Sequence, residues 1–120
     1  METETMEVKV LNPRLDVKSF GTTCLRGYLK ATYQELITAF GEPDRICDEY
    51  KVDVMWHIIV NGHPITIYNW KNGKHYLGDD GEDVENMTEW HIGGRKDGDG
   101  MIRKFFGTSF LSLQAALNYV

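Results

Sequence analysis

The stretch Tyr50–Lys71, YKVDVMWHIIVNGHPITIYNWK, decides the fold. Apolar residues alternate through Tyr50, Val52, Val54, Trp56, Ile58 and Val60, the period-2 pattern of a strand with one buried face. Asn61-Gly62 then supplies the two positive-φ residues of a type I′ turn. Pairing Val60 with His63 sets Ile58 opposite Ile65 and Trp56 opposite Ile67 on a core face. The same register sets Asp53, Met55 and His57 opposite Trp70, Tyr68 and Thr66 on a reverse face that is polar and aromatic. Pro64 falls opposite Ile59 at a non-hydrogen-bonded pair, so its missing N–H points away from the partner and the outer side of that strand is expected to be unpaired there.

Upstream of the hairpin, Thr32-Tyr33-Gln34-Glu35 is a capping box, and Leu36, Ile37 and Phe40 follow on one helical face. Gly41 suits a helix-terminating positive φ, and Pro43 prevents continuation, so a helix of about residues 32–40 is predicted. Glu7–Leu11 reads as a short strand with Val8 and Val10 on one face, Val17–Phe20 as a further candidate, and Gly21–Tyr28 as an extended segment interrupted by Gly27. The first seven residues are expected to fray.

Downstream, Asn72–Met87 is a linker too long for a casual connection, and such loops tend to be functional or mobile. Thr88–Ile92 predicts a third strand, ended by Gly93-Gly94, before an exposed loop over Arg95–Gly100. Met101–Phe106 and Thr108–Tyr119 carry helical spacing. The fold class is therefore α+β: one domain over residues 1–120, with an antiparallel sheet built on a central hairpin (about 50–71). A third strand near 88–92 joins that sheet, which packs against a short helix (about 32–40) and a C-terminal helix.

The 120 residues carry a formal charge of -5, with 42% hydrophobic and 26% charged residues, as an ordinary globular chain does. That balance excludes the concentrated basic footprint of a general nucleic-acid binder. No apolar run is long enough for a membrane span and the N-terminus has no signal-peptide pattern, so a cytoplasmic location is expected. Cys24 and Cys47 lack CxxC or Cys/His spacing and read as reduced thiols.

The side chains that could carry chemistry form no known motif, and no catalytic residue, cofactor or metal is expected. Asp79, Asp80, Glu82, Asp83 and Glu85 are dense enough to suggest calcium but fail the EF-hand spacing, leaving a solvated acidic loop. None of His57, His63, His75 and His91 has a ligand partner at helical spacing. His57 lies beside Asp53 on one strand face and opposite Thr66, which suits a hydrogen-bonded sheet histidine or, as a minor alternative, the acid–base pair of a small hydrolase. The glycines fit no phosphate-loop pattern. Trp56 and Trp90 fall on apolar faces and read as core. Tyr68, Trp70 and Tyr76 fall on the reverse face, where they form either a binding surface or a second core layer.

The succession GYLKATYQELITAFGEP, YKVDVMWHI, ITIYNWKNGKHYLG and EWHIGG resembles a largely uncharacterised set of small accessory proteins of bacteriophages and prophages, over about Gly27 to Gly94. The resemblance implies an inhibitor of a bacterial defence protein, such as an anti-CRISPR, acting in the host cytoplasm, or a non-enzymatic sponge for a nucleotide signal. In the sponge reading, Tyr68, Trp70 and Tyr76 stack a base while Lys71, Lys74, Arg95 or Lys96 meet its phosphates. The binding set is thus Asp53, His57, Thr66, Tyr68, Trp70, Lys71, Lys74, Tyr76, Asp79, Asp80, Glu82 and Asp83. The partner is a host protein or a nucleotide, and a homodimer stays open. The capped helix ending FGEP before a hairpin also looks like the helix-then-meander of β-lactamase-inhibitor-like domains, which is fold analogy alone.

Overall fold

The computed structural model describes residues 6–11, 23–45 and 51–113. In chain order its elements are β1 (Val8–Val10), β2 (Cys24–Lys30), α1 (Tyr33–Phe40), β3 (Asp44–Arg45), β4 (Val54–Val60) and β5 (His63–Tyr68). After them come α2 (Lys74–Leu77), β6 (Glu89–Gly94), α3 (Asp99–Phe106) and β7 (Phe110–Ser112), with short 3-10 turns between. The described strands form one antiparallel sheet in the order β1-β4-β5-β6-β2-β7, and β3 pairs with β4 on the same side as β1. This α+β architecture is the one the sequence predicts.

The hairpin forms in the register its turn dictates, from Val60 opposite His63 to Met55 opposite Tyr68. Asn61 and Gly62 have φ of 48° and 82°, both left-handed as a type I′ turn requires. Pro64 pairs with Ile59, while the β5–β6 ladder begins only at Ile65 opposite Gly94, so no neighbour asks Pro64 for an N–H.

One sheet face is the core. Val54, Trp56, Ile58, Val60, Ile65, Ile67, Trp90 and Ile92 are all fully buried on it. Helix α1 covers this face, nucleated by the capping box: Thr32 Oγ1 accepts from Glu35 N–H at 3.1 Å, and Glu35 Oε1 accepts from Thr32 N–H at 2.8 Å. A buried indole must place its N–H, and the two core tryptophans do so at opposite ends of this helix. Trp90 Nε1 donates to the Ala31 carbonyl and Trp56 Nε1 to the Gly41 carbonyl, each at 2.8 Å. The rings meet edge to face at 5.4 Å, with Tyr33 laid against both. The helix is strapped to the sheet at both ends by the residues that also fill the core.

Three expectations shift. Gly93-Gly94 does not end the third strand but continues it, pairing with Leu25 and Cys24 on one side and Thr66 and Ile65 on the other. A Cβ at Gly93 would overlap Thr66 Oγ1, so that glycine answers a close approach rather than a turn. Residues 110–112 of the stretch expected to be helical form β7 against β2, where a Cβ on Gly27 would run into the Leu111 carbonyl and the Phe110 ring. The rest of that stretch from 114 onward, the candidate strand at Val17–Phe20, and Cys47 lie outside the described residues. The polar 95–100 loop is a 3-10 turn that leads into α3, whose Asp99 takes the Arg26 guanidinium in a two-point bond and holds its pKa well above the usual value. No helix among the described residues is long and apolar enough to cross a membrane.

Candidate binding surface at the open end of the hairpin

Asn69 is the hinge of the site. The β4–β5 ladder stops at Met55 opposite Tyr68, so the next rung, which would pair Val54 with Asn69, must be made another way. Asn69 turns its amide inward, fully buried. Its Oδ1 accepts from the N–H groups of Asp53 at 2.8 Å and Val54 at 3.1 Å. Its Nδ2 donates to Asp53 Oδ1 at 2.9 Å and Asn72 Oδ1 at 3.2 Å. A side chain has replaced a backbone rung, and Lys71 N–H then reaches the Lys51 carbonyl at 2.8 Å, one residue off the hairpin register. Asp53 and Trp70 therefore do not face each other as the extrapolated register predicts.

The long linker is folded upon this node. A Cβ on Gly73 would overlap the Asp53 carboxylate and the Asn69 amide, so only glycine lets the chain pass there. Leu77 N–H donates to the Gly73 carbonyl at 3.0 Å, Glu82 N–H to the Asn72 carbonyl at 2.9 Å, and Gly73 bridges in parallel to Glu82. Val84 and Met87 are buried and pin the far end of the linker to the core. The linker, expected to be functional or mobile, is a packed one.

This anchored frame carries exposed apolar side chains. Trp70 is 38% exposed, Tyr76 40% and Leu77 46%, in a molecule whose other two tryptophans are fully buried. Behind Trp70 an aromatic ladder runs back across the sheet. Trp70 stacks on His91 at 6.5 Å, His91 meets Tyr68 at 5.5 Å and Tyr28 at 5.1 Å, and Tyr68 meets Trp70 edge-on at 6.3 Å. Burial pushes the Tyr68 phenol pKa up and the His91 imidazole pKa down, favouring the uncharged form of each. In front, Lys51 Nζ lies 5.6 Å and Lys71 Nζ 5.9 Å from the Trp70 ring centre, and Lys71 also stands 5.8 Å from Tyr76. Each such contact at an exposed site is worth about 0.5 to 1 kcal/mol. Lys71 holds φ of 60°, a left-handed conformation that costs a non-glycine residue about 1 to 2 kcal/mol.

The twelve sequence-predicted binding residues separate into groups. The structure brings Tyr68, Trp70, Lys71 and Tyr76 together. Thr66 is buried beneath the sheet surface, and Asp53 serves the Asn69 node. His57 is 1% exposed and does face Thr66, but its carboxylate is Asp44 on β3, with Nδ1 and Oδ2 2.8 Å apart. The His57/Asp53 pair of the hydrolase alternative does not assemble, because Asp53 is turned to Asn69 and β3 brings Asp44 in instead. Lys74 pairs with Asp83 at 3.3 Å, both half exposed, a contact worth under about 1 kcal/mol. Asp79 and Asp80 sit on an exposed 3-10 turn, with Glu82 exposed just beyond. Arg95 and Lys96 follow Gly94 at the turn end of the hairpin, about four residues or roughly 13 Å along β5 from Tyr68, so they are not placed to serve Trp70 and Tyr76.

Lys51, Leu77, His91 and Tyr28 belong to the surface or its support; none was placed there from sequence, where His91 was weighed only with the other histidines. His91 was findable by pairing β6 with β5, whereas Lys51 enters only through the register shift at Asn69. One cleft borders the region and another lies apart from it. A polar one of about 280 Å³ is lined by Arg45, Asp53, Lys74, His75, Glu82 and Asp83 among others, with His75 Nδ1 donating to the Val52 carbonyl at 3.1 Å. An apolar one of about 300 Å³ lies between α1 and α3, lined by Leu36, Phe40, Phe105 and Phe106 among others. Among the described residues no group of three His, Cys, Asp or Glu side chains is placed to hold a metal ion. No family model, curated protein or solved structure matches the chain.

Proposed function

We propose that this chain is a non-enzymatic, phage-type binding protein that blocks a host factor in the bacterial cytoplasm, in the first place a defence protein, as anti-CRISPR inhibitors do. Trp70, Tyr76 and Leu77 are its contact surface. The observation that carries this reading is their exposure, at 38%, 40% and 46%, on a segment tied down by the buried Asn69 amide. Tryptophan and tyrosine dominate interface hot spots because they bring large apolar area at little conformational cost. A fixed backbone lowers the ordering cost of binding further. The acidic turn at Asp79 and Asp80, beside Leu77, adds charge that discriminates among partners. Affinity capture from a bacterial lysate tests the proposal: the wild-type chain retains a partner that the folded Trp70→Ala/Tyr76→Ala variant loses. Equal capture by both contradicts it.

A nucleotide sponge is the second reading, favoured by the two lysines beside the Trp70 ring. In it Trp70 and Tyr76 stack a base, and Lys51 and Lys71 meet phosphate oxygens. Calorimetry against a panel of cyclic nucleotides separates the two, since tight binding of one demotes the protein-blocking reading.

A further inference from the structure

Resting on the contact surface just proposed, we infer that it takes an acidic protein segment, a carboxylate flanked by an apolar side chain, and that Lys71 is the residue that selects the carboxylate. Two independent features of Lys71 meet here. The first is conformational. Among the described residues only two non-glycines have positive φ, Asn61 and Lys71. Asn61 is the residue type such a position favours, because its short amide tolerates the left-handed region. Lysine has no such affinity for it, and glycine or asparagine would turn the chain from β5 into α2 at lower cost. A strained residue retained where a relaxed one would fit points to work done by its side chain.

The second feature is where that side chain goes. The Lys71 ammonium lies over both aromatic rings, 5.9 Å from the centre of Trp70 and 5.8 Å from that of Tyr76. The faces of the rings hold the ammonium, and its three N–H donors can serve a carboxylate brought by a partner. Lys51 adds a second cation 5.6 Å from the Trp70 ring. This small basic spot is set in a chain of net charge -5, so attraction of an anion is local to it. The apolar half of the occupant lies on Leu77 and the ring edges. Asp79 and Asp80 follow directly on the exposed turn, and they repel an occupant with several negative charges more than one with a single carboxylate. This favours a sparsely acidic peptide over a nucleoside triphosphate or a nucleic acid, while a singly charged cyclic nucleotide is separated by competition.

The test uses the full chain and a fluorescein-labelled short peptide with one Glu flanked by Phe, its Gln-for-Glu counterpart, and cyclic AMP as competitor, read by fluorescence anisotropy with melting curves run alongside. The wild type binds the Glu peptide saturably, more weakly as salt rises, and at least about tenfold more tightly than the Gln peptide, a discrimination of about 1.4 kcal/mol. Lys71→Asn melts no earlier than wild type yet loses that discrimination. No binding of the Glu peptide by wild type, equal binding of the Gln peptide, tighter binding of cyclic AMP, or unchanged discrimination in Lys71→Asn each overturns the inference. The peptide comparison on the wild type stands even where a variant fails to fold. Loss of binding in Trp70→Ala with full discrimination kept in Lys71→Asn removes the role of Lys71 and leaves the surface standing, whereas full binding by Trp70→Ala removes the surface itself.

Discussion

The chain uses tryptophan in two opposite ways. Trp56 and Trp90 are fully buried, each with its indole N–H bonded to a carbonyl at one end of α1. Trp70 is 38% exposed, backed by His91 and fronted by lysines. Strand parity explains the first pair: both lie on the face that also carries Ile58, Ile65, Ile67 and Ile92. Trp70 keeps the reverse-face side that parity gives it, against Tyr68 and His91. The ladder has ended by then and Asn69 has redirected the chain, so no neighbouring strand among the described residues covers its ring. What a large aromatic does is therefore set by whether its backbone belongs to a regular rung or to the departure from one.

The largest effect expected from breaking this contrast is on the buried side. Trp90→Ala removes a ring packed on Trp56 and Tyr33 and orphans the Ala31 carbonyl, and it should cost about 3 to 5 kcal/mol in urea denaturation. Next comes the node that makes the surface. Asn69→Ala strands the buried N–H groups of Asp53 and Val54, at about 1 to 3 kcal/mol each. It should also speed amide exchange over residues 71–77, and unchanged exchange there would mean that Asn69 does not hold the surface.

A smaller effect comes from pH. Burial lowers the His91 pKa below its unfolded value of 6.5, so the unfolded chain binds the proton more readily and His91 contributes stability that is fully present above about pH 6.5. That contribution fades as pH falls through the unfolded value toward the lower folded one. An NMR titration should place the His91 pKa below 6.5, and a value at or above it would show the aromatic ladder to be open to water. Smallest of all on stability is the acidic loop. Replacing Asp79, Asp80, Glu82 and Asp83 by Asn or Gln should shift the melting curve little, while changing the association rate for a charged partner more at low salt than at moderate salt.

How legible this was in the sequence follows from the same contrast. The hairpin register, the capping box and the core face were readable because alternation, Asn-Gly and Thr-x-x-Glu are local signals that the tertiary structure obeys. Gly93 and Gly94 were misread as a strand end because a glycine needed for close packing looks the same in sequence as one needed for a turn. Residues 110–112 looked helical because the edge strand they form is dictated by the neighbouring Gly27, far away in the chain. At the site, Trp70 and Tyr76 were visible as aromatics off the core face, but the Asp44 partner of His57 was not, since β3 is two residues long and carries no period. The Lys51 contact was equally hidden, because a side-chain amide that substitutes for a rung shifts the register without leaving a pattern.

The claim that one face is core and the open end of the hairpin is a surface is tested most directly by urea denaturation of Trp56→Ala and Trp70→Ala side by side. The account predicts a loss of about 3 to 5 kcal/mol for Trp56→Ala, from lost burial and a cavity, and under about 1 kcal/mol for Trp70→Ala. Comparable losses in the two variants would contradict it, making Trp70 part of a second core layer.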